Sequence, residues 1–163
     1  MDYFYEQLVK TNKTGFYKTV KVATYVFAFF GLISLTANFI YAIISLIVAA
    51  ACFFYKQNLF VEYEYQFTNG DIDVEKILEM KKRKKVTTFN IKEVALLAPE
   101  NSVFVKDFSN KPGDIVKCYH NSEEAKVYVA MVTEGNNKMQ LMFTPNEKFL
   151  DLCYKSNPRA VKK

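Results

Sequence analysis

Cys118 and His120 stand two residues apart in a β-type run, Ile115 to Tyr119, so both side chains would share one face of a strand. A thiol beside an imidazole is the beginning of a nucleophilic pair or of a metal site. A beginning is all it is. The chain has a single histidine, and of its three cysteines Cys52 lies inside a long apolar run. A structural zinc site needs four ligands and a nucleophile needs an oriented base, and no such spacing accompanies the pair. We therefore expect no catalytic residue, no metal, no cofactor and no enzymatic activity. The cysteines are also too few for a disulfide framework, and reduced thiols on a cytosolic face are the simpler reading.

The most concentrated polar feature is the pentad Lys81-Lys82-Arg83-Lys84-Lys85. Beside a cytoplasmic leaflet each basic residue adds about 1 kcal/mol of attraction to anionic lipid, so five could hold a domain face against a bilayer. The competing reading is a solvated strand edge or loop whose lysines block edge-to-edge pairing. The net charge of +5 is otherwise spread along the chain. Membrane lipid and a protein partner, or a second copy, are the expected partners, and nucleic acid is not.

These residues are positioned by an anchor. Val22 to Tyr55 contains no charged residue. As one straight helix it would be about 51 Å long at ~1.5 Å per residue, too long for a hydrocarbon core of about 30 Å. A break at Thr36-Ala37-Asn38 gives two spans, 18–35 and 39–55, each near the lower limit of about 17 residues. Thr24, Ala28 and Gly31 on the first, and Ala42, Ser45 and Ala49 on the second, recur at helical spacing and offer small faces for close helix packing. A signal peptide is excluded by length, its apolar core being about 7–15 residues. Lys10, Lys13, Lys18 and Lys21 precede the run and Lys56 follows it, so the positive-inside rule puts both termini in the cytoplasm of a multi-pass cell-membrane protein. The absence of intramembrane charge disfavours transport.

Beyond the anchor, Val61, Tyr63, Tyr65 and Phe67 alternate with Glu62, Glu64, Gln66 and Thr68 up to Asn69-Gly70, a half-buried strand entering a tight hairpin. A return strand carries Ile72 and Val74, and a third is expected from Val86. Val94 to Leu97, Ile115 to Tyr119, Lys126 to Val132 and Lys138 to Phe143 add further short strands between turn signals such as Asn121-Ser122 and Gly135-Asn136. Thr144-Pro145-Asn146-Glu147 reads as a threonine N-cap, first-turn proline and capping-box glutamate for a last helix running to about Ser156. Phe4, Tyr5, Leu8 and Val9 are spaced for a short amphipathic helix.

The expected class is α+β: an amphipathic segment over 1–17, a transmembrane helical hairpin over 18–55, and an antiparallel sandwich or barrel of about seven strands with a C-terminal capping helix over 56–163. The β part is expected to fold without the anchor. This order of elements resembles the pleckstrin-homology-like fold. The opening Met1 to Val9, the stretch Val61 to Asp73, the basic run and the ending Pro145 to Arg159 are similar to an uncharacterised Clostridia-type family of small two-helix membrane proteins with a bacterial PH-like domain. That resemblance brings no known activity or site residues. Where PH domains bind inositol lipids their basic residues usually surround the first hairpin, and here it reads Thr68-Asn69-Gly70-Asp71. The function expected is a membrane-anchored, non-enzymatic interaction or scaffold module. The alternative is an accessory subunit whose small-residue helix faces pack on a larger membrane enzyme or transporter.

Overall fold

The computed structural model describes residues 3–11, 15–109, 111–120, 126–134 and 137–162. Lys13 and the expected turns at Asn121-Ser122 and Gly135-Asn136 lie outside them. The chain divides into two units. One gathers Thr11–Glu62 with Leu78–Lys82, and the other gathers the N-terminal strand, Tyr63–Ile77 and the chain from Arg83.

In the helical unit, α1 (Gly15–Ala37) and α2 (Phe39–Gln57) form the expected hairpin. Asn38 breaks it: its extended backbone ends α1, and its side chain accepts a hydrogen bond from Ile40 N to cap α2. Both helices are long and apolar enough to cross a membrane. Thr24, Gly31, Ala42 and Ala49 are buried in the hairpin seam, whereas bulky side chains such as Phe30, Leu32, Phe39 and Ile47 are exposed all round. A Cβ on Gly31 would come within 2.8 Å of the Leu46 side chain, which would have to shift to admit it. Ser45 Oγ donates across the seam to Phe27 O at 2.7 Å, replacing the water it would lack in lipid.

The β unit begins before the hairpin. Phe4–Val9 is strand β1, paired antiparallel with β2 (Val61–Thr68) from Phe4↔Thr68 to Val9↔Tyr63. This corrects the expected N-terminal helix. A segment this short gains little from helical bonds alone, while a strand can borrow the open edge of β2 and turn Tyr5 and Val9 onto the core. With β3 (Asp71–Leu78) and β4 (Lys82–Asn90) these strands form a sheet in the order β1-β2-β3-β4. A 3-10 turn at Ile91–Glu93, closed by a capping box between Asn90 and Glu93, leads into the second sheet.

That sheet has the order β5-β7-β8-β6, from β5 (Val94–Pro99), β6 (Asp114–Cys118), β7 (Tyr128–Glu134) and β8 (Asn137–Phe143). Eight strands are thus described where about seven were expected. β6 runs parallel to β8, so the sheet is mixed rather than wholly antiparallel. Strand direction comes from the connections, which a run of apolar residues does not encode. A short helix, α3 (Val103–Lys106), turns Val105 and Phe108 onto the outer side of this sheet against Leu96, Ala98 and Met131. The C-terminal tail closes the edge of β5, with Leu97 N donating to Ala160 O and Lys162 N to Leu97 O.

Between the sheets, Phe149 of α4 (Glu147–Ser156) is the hub. Its ring lies 6.1 Å from those of Tyr65, Phe67 and Phe143, mostly edge to face. Burying each such ring contributes about 1.5–3 kcal/mol. The helix cap is Asn146, whose side chain accepts from Phe149 N at 2.9 Å, and not Thr144. Thr144 is engaged elsewhere: its N–H donates to Tyr65 Oη at 3.3 Å and its carbonyl accepts from Gln7 Nε2 at 2.9 Å.

Gln7 therefore ties β1 to the loop before α4, since its Oε1 also accepts from Asn146 N at 2.8 Å. The β unit is incomplete without the segment that precedes the hairpin. A soluble protein of residues 61–163 should unfold at a lower denaturant midpoint than the same domain with residues 1–10 fused ahead of β2 through a flexible linker. Equal midpoints would show that β1 is dispensable.

Candidate functional site

The basic pentad does not precede its strand; it begins it. Lys81 lies in the turn and Lys82–Lys85 open β4, at the edge of the first sheet. A backbone ladder is indifferent to side-chain charge, and an edge strand leaves long cations room to reach solvent. All five are exposed, and two of them are paired with acids of the sheet. Arg83 Nη1 lies 3.1 Å from Glu64 Oε1, and Lys85 Nζ lies 3.0 Å from Asp73 Oδ1. No acid pairs with Lys81, Lys82 or Lys84 within ion-pair distance among the described residues.

The partner of Arg83 explains the pairing. Glu64 is 1 % exposed, although it belongs to the polar phase of β2. A carboxylate removed from water needs donors; Arg83 supplies one and Gln66 Nε2, at 2.8 Å, another. Glu6 on the neighbouring strand adds a difficulty. Its carboxyl is held above its ordinary range, first by a hydrogen bond with Glu64 and then by the Glu64 charge. Asp73 goes the other way: the Thr88 hydroxyl, with Lys85 beside it, holds its carboxyl below the usual range against the opposing effect of burial. Two residues of the pentad, Arg83 and Lys85, thus each pair with an acid of the first sheet.

The six small residues all lie along the hairpin, but not all are buried to the same depth. Thr24, Gly31, Ala42 and Ala49 are buried, while Ala28 and Ser45 are half-buried. They pack the two helices on each other. Cys118 and His120 lie at the end of β6 and just beyond it. Cys118 is buried at the end of β6, and burial pushes its thiol up to about 11, so it stays protonated at neutral pH. The ring of His120 instead packs on that of Tyr63 at 5.2 Å. Burial likewise pushes the Cys153 thiol up to about 12. Among the described residues there is no group of three or more His, Cys, Asp or Glu that could hold a metal.

The site that sequence reasoning missed is at the base of the hairpin. Glu79 Oε1 receives Lys56 Nζ at 3.2 Å and the Tyr17 hydroxyl at 3.0 Å, and Glu79 N donates to Phe60 O at 2.9 Å. Lys56 is 7 % exposed and also sits over the Phe53 ring, 4.7 Å from its centroid. Glu79 and Met80 are the centre of the β3–β4 turn, closed by Lys81 N to Leu78 O, and both have positive φ, 48° and 58°. Asn-Gly ordinarily fills such a turn, as Asn69-Gly70 does between β2 and β3. At a non-glycine residue the left-handed conformation costs about 1 kcal/mol or more. The three contacts made by Glu79 offset that cost. Lys56 had entered the sequence argument only as a topology signal, and nothing in Leu78-Glu79-Met80 marks a tight turn.

Glu79→Ala should destabilise the protein by about 3 kcal/mol, because Lys56 is left buried without a counter-ion. Lys56→Met in the same chain should restore much of that loss, as measured by thermal melts in detergent. A double variant no more stable than Glu79→Ala would sink this account of the pair. Glu6→Gln removes a charge beside Glu64. The raised carboxyl of Glu6 contributes stability below its unfolded value that is lost as pH rises, so the variant should be more stable at pH 7, by about 0.5 kcal/mol or less at this exposed position. The advantage should shrink towards pH 4, and an advantage that grows on acidification would contradict the pairing.

Comparison with known proteins matches the whole chain, residues 1–163, to the family described as a bacterial PH-like domain (DUF6106). No curated protein and no solved structure gives a significant match. Two sheets with a C-terminal helix between them and two apolar helices entering after the first strand agree with that match, and the chain belongs to this family of bacterial PH-like domains.

Proposed function

We propose that this protein is a non-enzymatic interaction module that holds its PH-like domain at the cytoplasmic face of the cell membrane. The observation that carries the reading is the pairing of β1 with β2. Val9 and Tyr63 are register partners, and the two apolar helices lie between them in sequence. Partners in one antiparallel ladder are about 5 Å apart, so the chain must return to where it left. If the helices cross a bilayer, they cross it an even number of times, and both flanks share one side. The basic residues Lys18, Lys21 and Lys56 favour the cytoplasmic side.

Residues 58–60 separate α2 from β2, a reach of about 11 Å at full extension. Connectivity alone then keeps the β domain at the membrane, where its surface is presented to lipid, to another protein or to a second copy. Buried, protonated thiols at Cys118 and Cys153 support a non-enzymatic role. The engagement of Gly31 and Ala42 within the hairpin supports this reading over the accessory-subunit alternative, in which small-residue faces pack on a larger partner.

Thiol labelling in intact cells and in opened membranes tests the topology. Tyr3→Cys and Arg159→Cys should react with an impermeant maleimide only after the cytoplasmic face is exposed. Phe39→Cys, beside the break between the helices, should react from outside. Positions 3 and 159 on opposite sides would overturn the reading, and so would position 39 on their side.

A further inference from the structure

α3 turns two large apolar side chains to solvent. Val103 and Phe104 are 67 % and 55 % exposed, although the same short helix buries Val105. Their exposure does not come from a loose segment. Ser102 caps the helix by accepting from Val105 N, and Val105 and Phe108 pack on the second sheet. Burying a valine and a phenylalanine from water is favourable, so their display calls for a medium that takes them up.

The surroundings have one dominant sign. Lys106 lies on α3, Lys111 Nζ donates to Lys106 O at 3.1 Å, and Lys162 Nζ stands 5.9 Å from the centre of the Phe104 ring. Arg159 and Lys162 line the groove of about 450 Å³ beside Val103 and Phe104, where Asp107 is the one acid among the described lining residues. Apolar tips ringed by cations match the boundary between headgroups and acyl chains of an anionic bilayer. A second copy does not fit, because two-fold pairing through this face would set its cations against each other. The pentad differs in that two of its cations, Arg83 and Lys85, are already paired with acids.

We propose that the α3 corner is a second membrane contact, in which Val103 and Phe104 enter an anionic leaflet and Lys106, Lys111, Arg159 and Lys162 engage its headgroups. The inference deepens the reading of a membrane-anchored module and rests on it, since the anchor supplies the lipid at high effective concentration.

The chain has no tryptophan, so Phe104→Trp is a single fluorescent reporter at a position already exposed. The full chain is reconstituted in phosphatidylcholine vesicles with and without phosphatidylserine, with bromine on the acyl chains as quencher. Phe30→Trp in α1 serves as the reporter for the anchor. With phosphatidylserine, Trp at 104 should emit in the blue and be quenched. Quenching should fall to the level of neutral vesicles at high salt, and also when the four cations are changed to glutamine, while Lys82→Gln with Lys84→Gln leaves it in place. Quenching at 30 without quenching at 104 overturns the corner and spares the anchor. No quenching at either position overturns both. Blue emission at 104 without quenching assigns the face to a protein and overturns the proposal, as does quenching that ignores the four cations.

Discussion

The ladder between β1 and β2 constrains everything else in this chain. Its two strands are neighbours in the sheet, yet the whole helical hairpin lies between them in sequence. Closing so long a loop costs entropy that an unstructured insert would leave uncompensated. Two helices of similar length, turned back at Asn38, bring the chain home with their backbone bonds satisfied. The same closure ties hairpin and β unit into one folding problem, since the first strand of the β unit is made before the hairpin and the second after it. Gln7 and Tyr5 then fasten that first strand to the loop capping α4, through Thr144 and Asn146.

Within this frame the polar groups are sorted by what can neutralise them. Glu64 is buried on a strand because Arg83 and Gln66 reach it, and Lys56 is buried at the end of α2 because Glu79 and the Phe53 ring receive it. A buried pair of this kind adds little net stability over apolar residues of the same shape, but removing one member is costly. Its value is positional. Glu79 holds a left-handed turn that its own residue type disfavours, so the conformation of residues 78–82 depends on the helices they pack with.

Local chemistry made part of this legible. Asn69-Gly70 marks its turn because both residues tolerate positive φ; Asn38 marks the break in the apolar run; and the alternation Tyr63, Tyr65, Phe67 marks the buried face of β2. What stayed hidden depends on partners distant in sequence. β1 looks like a helix fragment until the edge of β2 is available to it. Asn146 caps α4 because Thr144 is held by Tyr65 and Gln7, and the parallel register of β6 follows from its connections. The pentad was visible as charge, but its division between Glu64, Asp73 and solvent was not. The Glu79 turn had no signal at all, since its stabilising partners sit on α1 and α2.

The groups with chemical reactivity are therefore the ones the fold puts away. Both cysteines of the β unit are buried and protonated, and the single histidine is stacked on Tyr63. Tyr65, whose hydroxyl burial pushes up to about 12, donates to Cys118 O and accepts from Thr144 N as a structural strut. Among the described residues of the β unit, cations gather on β4 and around α3, and Val103 and Phe104 are exposed beside the second group.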